Sequence, residues 1–330
     1  MGRRRAIGFT PSHTDLGEIV AAARLADELG YEFVCVPEGW ALDSTVVLAA
    51  LATATSRIKL AATIVSIWGR TPATLAMTSA TLQELSGGRF VLGLGASTPT
   101  LAEGFHDVAF ERPVERLREV TSTVRTLLDG GRVPLTTGTT QRPLRLGISA
   151  SERVPIWLGT VGPRALRVTA ELADGWYPSW VSQLSVAALA SQLAAWRAEL
   201  APTAEPLVVV AGPMVAVDDD LDRARASTGA TIAWYLCSMG DLHPRFIASQ
   251  GYAAQVRAVQ EANPRLTPAN GVIPPEAAAL VDDFSAAGPA ELVRESLQRW
   301  DEVVDVVTVG MPAAGSPWAL VEATIRAGAP

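Results

Sequence analysis

Residues 57–99 constrain the fold of this chain more than any other stretch. Ile58 to Val65 is a mostly apolar, β-branched run, and Val91 to Leu94 is a second one. Between them Thr71-Pro72 opens a helix with proline at its first position, apolar residues recur at helical spacing, and Ser86-Gly87-Gly88 ends it. The segment therefore reads as one strand-helix-strand unit. Strands that are apolar on both faces belong to a parallel sheet covered by helices. Every loop that follows such a strand falls on one common face, where small-molecule sites are built. The bare turn Gly95-Ala96-Ser97-Thr98 lies on that face, with little side chain to hold off a flat ligand.

The same alternation runs along the rest of the chain. Strands are expected at Ile7–Phe9, Phe33–Val36, Pro155–Leu158, Gly175–Pro178, Leu207–Val217 and Val303–Val309, which with the first two makes eight. Helices are expected over Asp15–Leu29, Ser44–Ala54, Pro113–Leu128, Pro163–Ala173, Ser185–Leu200 and Pro317–Ala327. Eight such units fit an α/β (β/α)8 TIM barrel spanning residues 1–330 as a single domain better than an open doubly wound sheet. Two stretches break the rhythm. Arg132 to Val154, with the polar run Thr136-Thr137-Gly138-Thr139-Thr140, reads as an inserted hairpin or loop. Residues 230–302 exceed one crossover helix and carry Trp234, Tyr235, Met239, Phe246 and Tyr252, so they are expected as extra helices over the barrel mouth.

Composition narrows the function classes. With 48% hydrophobic and 18% charged residues, a chain of 330 residues can bury one large core. A net charge of -7 argues against nucleic acid, whose affinity comes mainly from basic patches on phosphates. No apolar run approaches the roughly 20 residues that span a bilayer, and Arg3-Arg4-Arg5 lacks the apolar core of an export signal, so the expected compartment is the cytoplasm. Cys35 and Cys237 stand alone and offer no disulfide framework. The histidines His13, His106 and His243 share no metal spacing, and no metal site is expected.

One segment reads as the best candidate anion site on physical grounds. In Leu158-Gly159-Thr160-Val161-Gly162-Pro163-Arg164 a strand ends in small residues and a helix starts at Pro163. Exposed backbone N–H groups and the positive helix end suit a phosphate, with Arg164 close by. The same spacing also describes an ordinary tight loop between strand and helix.

Three motifs in order, LQELSGGRFVLGLGASTPT, EGFHDVAFERPVERLREVTSTVRTLLDG and PIWLGTVGPRALRVTAELADGW, resemble the luciferase-like monooxygenase superfamily, and more narrowly its coenzyme F420-dependent branch, which includes the methylenetetrahydromethanopterin reductases. VPEGWALDSTVVLAALAT and the final VDVVTVGMP segment extend the likeness to the whole chain. The resemblance implies a (β/α)8 barrel with an insertion, and a homodimer formed through barrel helices. It also implies a deazaflavin or flavin ring lying across the strand ends. The ring of such proteins backs onto a bulge in the third strand that often holds a non-proline cis peptide, here near Thr63-Ile64. Gly95, Ala96 and Ser97 match the loop beside the ring and ribityl chain, and Thr160, Val161, Gly162 and Pro163 match the loop that takes the cofactor phosphate.

Departures from the pattern bear on chemistry. Several reductases and dehydrogenases of the superfamily carry an Asp-His pair at the end of strand two, where this chain has Glu38-Gly39; some carry a glutamate where it has Thr98. Alcohol oxidation needs a base for the hydroxyl proton. A reductase needs a placed hydride donor and a proton from a weak acid or water. The expectation is therefore reduction of an activated C=C or C=N bond of a small molecule by reduced coenzyme F420. The alternatives are an FMN-dependent monooxygenase of the same fold, or a cofactor-binding protein without turnover. Glu38, drawn out of water beside Trp40, is the candidate acid. His13 lies on the same face as a second candidate proton donor, and Ser66 and Thr98 could orient substrate or ring. Trp40, Trp68, Trp176, Trp180 and Trp234 are candidates to line an apolar pocket. Arg164, Arg167 or the arginines of the inserted loop could meet the acidic tail of the cofactor.

Overall fold

A computed structural model describes residues 3–136, 141–266 and 270–330. Its elements follow in the order β1 (Arg5–Gly8), α1 (Leu16–Glu28), β2 (Phe33–Val36), α2 (Ser44–Ala54), β3 (Lys59–Ser66), α3 (Pro72–Ser86), β4 (Phe90–Gly95), α4 (Pro99–Ala102) and α5 (Pro113–Leu128). Then come β5 (Ile156–Leu158), α6 (Pro163–Leu172), β6 (Gly175–Trp176), α7 (Gln183–Leu200), β7 (Val208–Ala211), β8 (Met214–Val217), α8 (Leu221–Ser238) and α9 (Leu242–Ile247). The chain closes with α10 (Ala253–Ala262), α11 (Ala278–Phe284), β9 (Ser285–Gly288), α12 (Ala290–Asp301), β10 (Val306–Gly310) and α13 (Trp318–Ala327).

Eight strands, β1 to β7 and β10, form a closed parallel barrel, because β10 pairs with β7 on one side and with β1 on the other. The architecture is a (β/α)8 barrel. The opening strand-helix-strand unit has the expected chemistry at its ends. Thr71 caps α3 by accepting from the Thr74 N–H, Pro72 sits in its first turn, and Gly87 ends it in the left-handed conformation at φ 64°. Three apolar clusters result. The barrel interior holds Ala6, Phe33, Cys35, Ala61, Val91 and Trp157; a larger cluster lies between barrel and helices; a third lies within α8 to α11, around Ile232, Val259, Leu280 and Phe284.

The seventh expected strand differs from its reading. Leu207–Val217 breaks at Gly212-Pro213 into β7, which stays in the barrel wall, and β8, which leaves it to pair with the unforeseen β9. The break has a steric cause, since a Cβ on Gly212 would stand 2.0 Å from the Thr308 carbonyl oxygen of β10. A strand that must pass this close to its neighbour's backbone requires glycine. The sixth strand is shorter than expected, Gly175–Trp176. Helices α8 to α11 occupy the stretch expected to cover the mouth. In the inserted segment, the Val133 N–H donates to the Leu144 carbonyl at 2.9 Å and Arg132 Nη1 donates to the Pro143 carbonyl at 2.7 Å. The expected turn at Thr137-Gly138-Thr139-Thr140 lies outside the described residues.

Candidate functional site

A cavity of about 450 Å³ opens at the C-terminal ends of the barrel strands. Its floor is built by β3. The Thr63-Ile64 peptide is cis, and the β3–β4 register slips between Ala62 and Val65. The bulge raises Ile64 into the cavity lining. Three glycines seat its side chain: a Cβ on Gly95 would stand 1.8 Å from Ile64 Cδ1, one on Gly159 2.9 Å from Ile64 Cγ2, and one on Gly93 3.4 Å from the same methyl. The glycine that ends β4 and opens the bare turn therefore serves the neighbouring strand before it serves a ligand, which corrects the simpler reading of open space. Gly93 is further required by the Ala62 carbonyl oxygen, 2.0 Å from the position of its Cβ.

Deeper in the floor, the Tyr177 hydroxyl reaches the level of Cys35, Thr63 and Thr308. Burial pushes the Tyr177 hydroxyl well above its ordinary value and the Cys35 thiol up to about 12, so both stay protonated. Thr63 Oγ1 and Thr308 Oγ1 are buried beside this hydroxyl, closed off from the cavity.

At the side of the cavity, Ala96, Ser97 and Thr98 line one rim, with Ser97 held in the left-handed region at φ 58°. The loop is pinned from behind by Trp68, whose Nε1 donates to the Ala96 carbonyl at 2.7 Å. Thr160, Val161 and Gly162 line the opposite rim and lead into α6, whose first turn has Pro163 and no side-chain cap. Orphan N–H groups and the positive end of the helix dipole thus face the cavity. Trp176 Nε1 holds the Thr160 carbonyl at 2.9 Å, and Thr160 Oγ1 is already bonded to Thr169 Oγ1 at 2.6 Å. Thr160 is therefore a fixed post of this loop, and its backbone is the part left for a ligand. Nothing lies within 4 Å of a Cβ built on Gly162, so the loop has open space in front of it. A flat platform and an uncapped helix end fit a ring system that carries a phosphate.

Several expected residues sit elsewhere. His13 is buried beneath the cavity lining: its Nδ1 accepts from the Thr10 N–H at 3.0 Å and its Nε2 faces the Pro312 carbonyl at 2.9 Å. Both nitrogens are used, and burial holds the ring neutral, so it is no proton donor to the cavity. Ser66 Oγ accepts from the Trp68 N–H at 3.3 Å and stands behind the lining. Trp40 is 48% exposed and leans on Trp234 outside the cavity. Glu38 does line the cavity, but its Oε1 takes the Arg70 guanidinium at 2.5 Å and its Oε2 the Ser44 hydroxyl at 3.1 Å. Arg70 also holds Asp43, the N-cap of α2, at 2.8 Å. Glu38 is thus a partnered carboxylate that ties strand end to helix, not a free acid. Arg164 pairs with Glu115 at 2.6 Å and Arg167 with Glu199 at 3.4 Å, both on the surface.

The outer half of the cavity comes from residues the sequence did not single out as a group. Trp180 follows β6, Tyr235 lies on α8, His243 on α9 and Phe284 ends α11, and all four line the cavity. Trp180 packs on Tyr235 with ring centroids 4.6 Å apart and on Phe284 at 6.5 Å, and Tyr235 meets His243 edge-on at 5.3 Å. Gln250 clamps the Trp180 loop, donating to the Trp180 carbonyl at 2.8 Å and accepting from the Ser182 N–H at 2.8 Å. The aromatic wall was not legible as a group, because its members are far apart in sequence and share no period.

Comparison with known proteins agrees with this geometry. Residues 3–305 match the family described as luciferase-like monooxygenase. A protein of Mycobacterium tuberculosis that bears the name of a coenzyme F420-dependent oxidoreductase is 31% identical over 327 residues, covering 91% of this chain and 90% of its own. The coenzyme F420-dependent tetrahydromethanopterin reductase of Methanopyrus kandleri superposes with a TM-score of 0.73 at 19% identity, over 99% of this chain and 98% of that one. The oxygenating constituent of 3,6-diketocamphane monooxygenase from Pseudomonas putida, in complex with FMN, superposes with a TM-score of 0.72 at 17% identity, over 100% and 99%. With the family's model matching residues 3–305, nearly the whole chain, and a (β/α)8 barrel as its fold, the chain belongs to the luciferase-like monooxygenase family.

Proposed function

We propose that this protein is a coenzyme F420-dependent oxidoreductase, acting as a reductase that passes hydride to an activated C=C or C=N bond of a small organic substrate. The observation that carries the reading is the Ile64 platform seated on Gly93, Gly95 and Gly159, facing the uncapped start of α6 across one cavity. A flat face at one end and an anion site at the other suit the ring and phosphate of the deazaflavin. When bound in reduced form, that cofactor would supply the hydride. Ala96 and Ser97 would meet its ribityl chain, and the Val161 and Gly162 backbone its phosphate. Relatedness to a protein named for coenzyme F420 supports this cofactor. The absence of a free carboxylate or histidine base at Glu38 and His13 favours reduction over alcohol oxidation, since reduction calls only for a weak proton source.

A second reading, an FMN-dependent monooxygenase, is favoured by the likeness to the FMN-bound barrel of diketocamphane monooxygenase. A titration of the purified protein with coenzyme F420 and with FMN, following each cofactor's fluorescence, separates them. Micromolar or tighter binding of F420 with weaker FMN binding supports the reductase, and the reverse preference moves the chemistry to oxygen. Binding without turnover on any unsaturated substrate would leave a cofactor carrier. A homodimer formed through barrel helices, working in the cytoplasm, completes the proposal; among the described residues no helix is long and apolar enough to cross a membrane.

A further inference from the structure

The cavity changes character from its floor to its outer half. Among the described lining residues, Glu38 is the one carboxylate and no lysine or arginine appears. That carboxylate already belongs to Arg70. The single lysine, Lys59, pairs with Glu32 at 3.0 Å near the start of β3, at the far end of the barrel. An anionic substrate would therefore leave water for an outer chamber that offers no counter-charge, which is costly for a carboxylate or phosphate. The helix-end anion site lies on the α6 rim, which the cofactor phosphate takes in the reading above.

What the outer chamber does offer is a continuous wall of rings, Phe284, Trp180, Tyr235 and His243. Beside the Trp180 indole N–H, Tyr235 and His243 carry polar heads. Among the described residues neither the Tyr235 hydroxyl nor the His243 imidazole makes a hydrogen bond, although Tyr252, whose ring packs on Phe284, spends its hydroxyl on Asp283 at 2.7 Å. Burial holds the Tyr235 hydroxyl protonated and pushes His243 down to about 4, so both present uncharged donors at neutral pH. Apolar faces with a few convergent polar groups define the orientation of a ligand.

We propose that the outer chamber binds an uncharged, flat carbonyl compound, its ring system against Trp180 and Phe284 and its oxygen received by Tyr235 and His243. The proposal rests on the oxidoreductase reading for its biological sense, since it names the class of substrate to be reduced: neutral conjugated ketones, not phosphorylated or carboxylated metabolites. The binding itself is a property of the chain and can be measured without turnover.

The test is calorimetric titration of the protein, with and without oxidised coenzyme F420, using three probes of nearly one shape: naphthalene, 2-acetylnaphthalene and 2-naphthoate. The ketone is expected to bind at least ten-fold more tightly than the carboxylate. His243→Ala and Tyr235→Phe are each expected to weaken the ketone three- to ten-fold while leaving naphthalene within two-fold. Naphthoate binding as tightly as the ketone, failure of the ketone to bind at its solubility limit, or equal losses for naphthalene and ketone in both variants would overturn the assignment. Failure of the cofactor reading shows separately, as absence of F420 binding in the same cell.

Discussion

Ile64 Cδ1 occupies the volume that any side chain on Gly95 would need, since a Cβ built there stands 1.8 Å away. Strand β3 thus places its bulge residue on the backbone of β4, and the cavity floor is a joint product of the two strands. Gly95→Ala must either displace Ile64 upward into the cavity or push β4 outward, and overpacking of this kind costs about 1–3 kcal/mol. The expected outcome is a loss of F420 affinity of ten-fold or more. Adding Ile64→Ala, which removes the Cδ1 and Cγ2 atoms, should recover a large part of it. The fluorescence titration of the four proteins in a double-mutant cycle reads the coupling, and independent, additive losses would show that the two residues do not share the site.

Arg70 joins three elements through Glu38 and Asp43. The Glu38 side chain is only 8% exposed. Removing the guanidinium leaves a buried carboxylate without its counter-charge, which costs about 3–5 kcal/mol, whereas neutralising the acid leaves a partly solvated arginine. Arg70→Ala is therefore expected to lower the unfolding midpoint more than Glu38→Gln does, by several degrees. Thermal unfolding followed by circular dichroism checks this. If Glu38→Gln instead abolished turnover with stability intact, Glu38 would have a chemical role that its two partners argue against.

The barrel was legible because its evidence is local and repeated. Pro72 and Gly87 bracket α3, apolar runs mark β3 and β4, and the small residues after β4 and β5 fall where a parallel barrel puts its loops. The cis bond at Thr63-Ile64 came from family likeness, as no property of a Thr-Ile pair announces it. The split of Leu207–Val217 was hidden because its cause is the Thr308 carbonyl, nearly a hundred residues later in the chain. His13 misled for the same reason. Its position after β1 does put it at the mouth end, but the Pro312 carbonyl, which turns its ring inward, is a tertiary partner. Trp180, Tyr235, His243 and Phe284 meet only through folding of the cap, so sequence spacing could not group them.

Acid should titrate His13, which is buried, and His243, which is partly buried at the cavity wall. Burial lowers the pKa of both His13 and His243 in the folded protein, the latter from 6.5 to about 4. Over that interval the unfolded chain binds protons that the folded chain refuses, so stability is complete above pH 6.5 and falls as pH drops. His243 alone contributes a slope of up to about 1.4 kcal/mol per pH unit across that interval, and His13 adds to it with the same sign. Denaturant midpoints measured from pH 7.5 to 4.5 should decline, and His243→Phe should flatten the decline while His13 keeps its share. An unchanged slope in that variant would mean that His243 titrates normally.

Trp176 acts on the anion loop from below. Its indole lies fully buried under the loop and donates to the Thr160 carbonyl at 2.9 Å, while the Thr160 hydroxyl is fixed to α6 through Thr169. Trp176→Phe keeps an aromatic ring in the core but leaves that carbonyl without its donor, which costs about 1–3 kcal/mol where the group is buried. The loop then has freedom to move the Val161 and Gly162 backbone away from a phosphate. FMN and riboflavin share a ring and differ in the phosphate, so their ratio of affinities reports on this loop alone, whichever cofactor the protein uses in the cell. The variant is expected to weaken FMN three- to ten-fold and riboflavin by less than two-fold. Equal weakening of the two would place the effect of Trp176 in the ring platform and sink the assignment of the α6 start as the phosphate site.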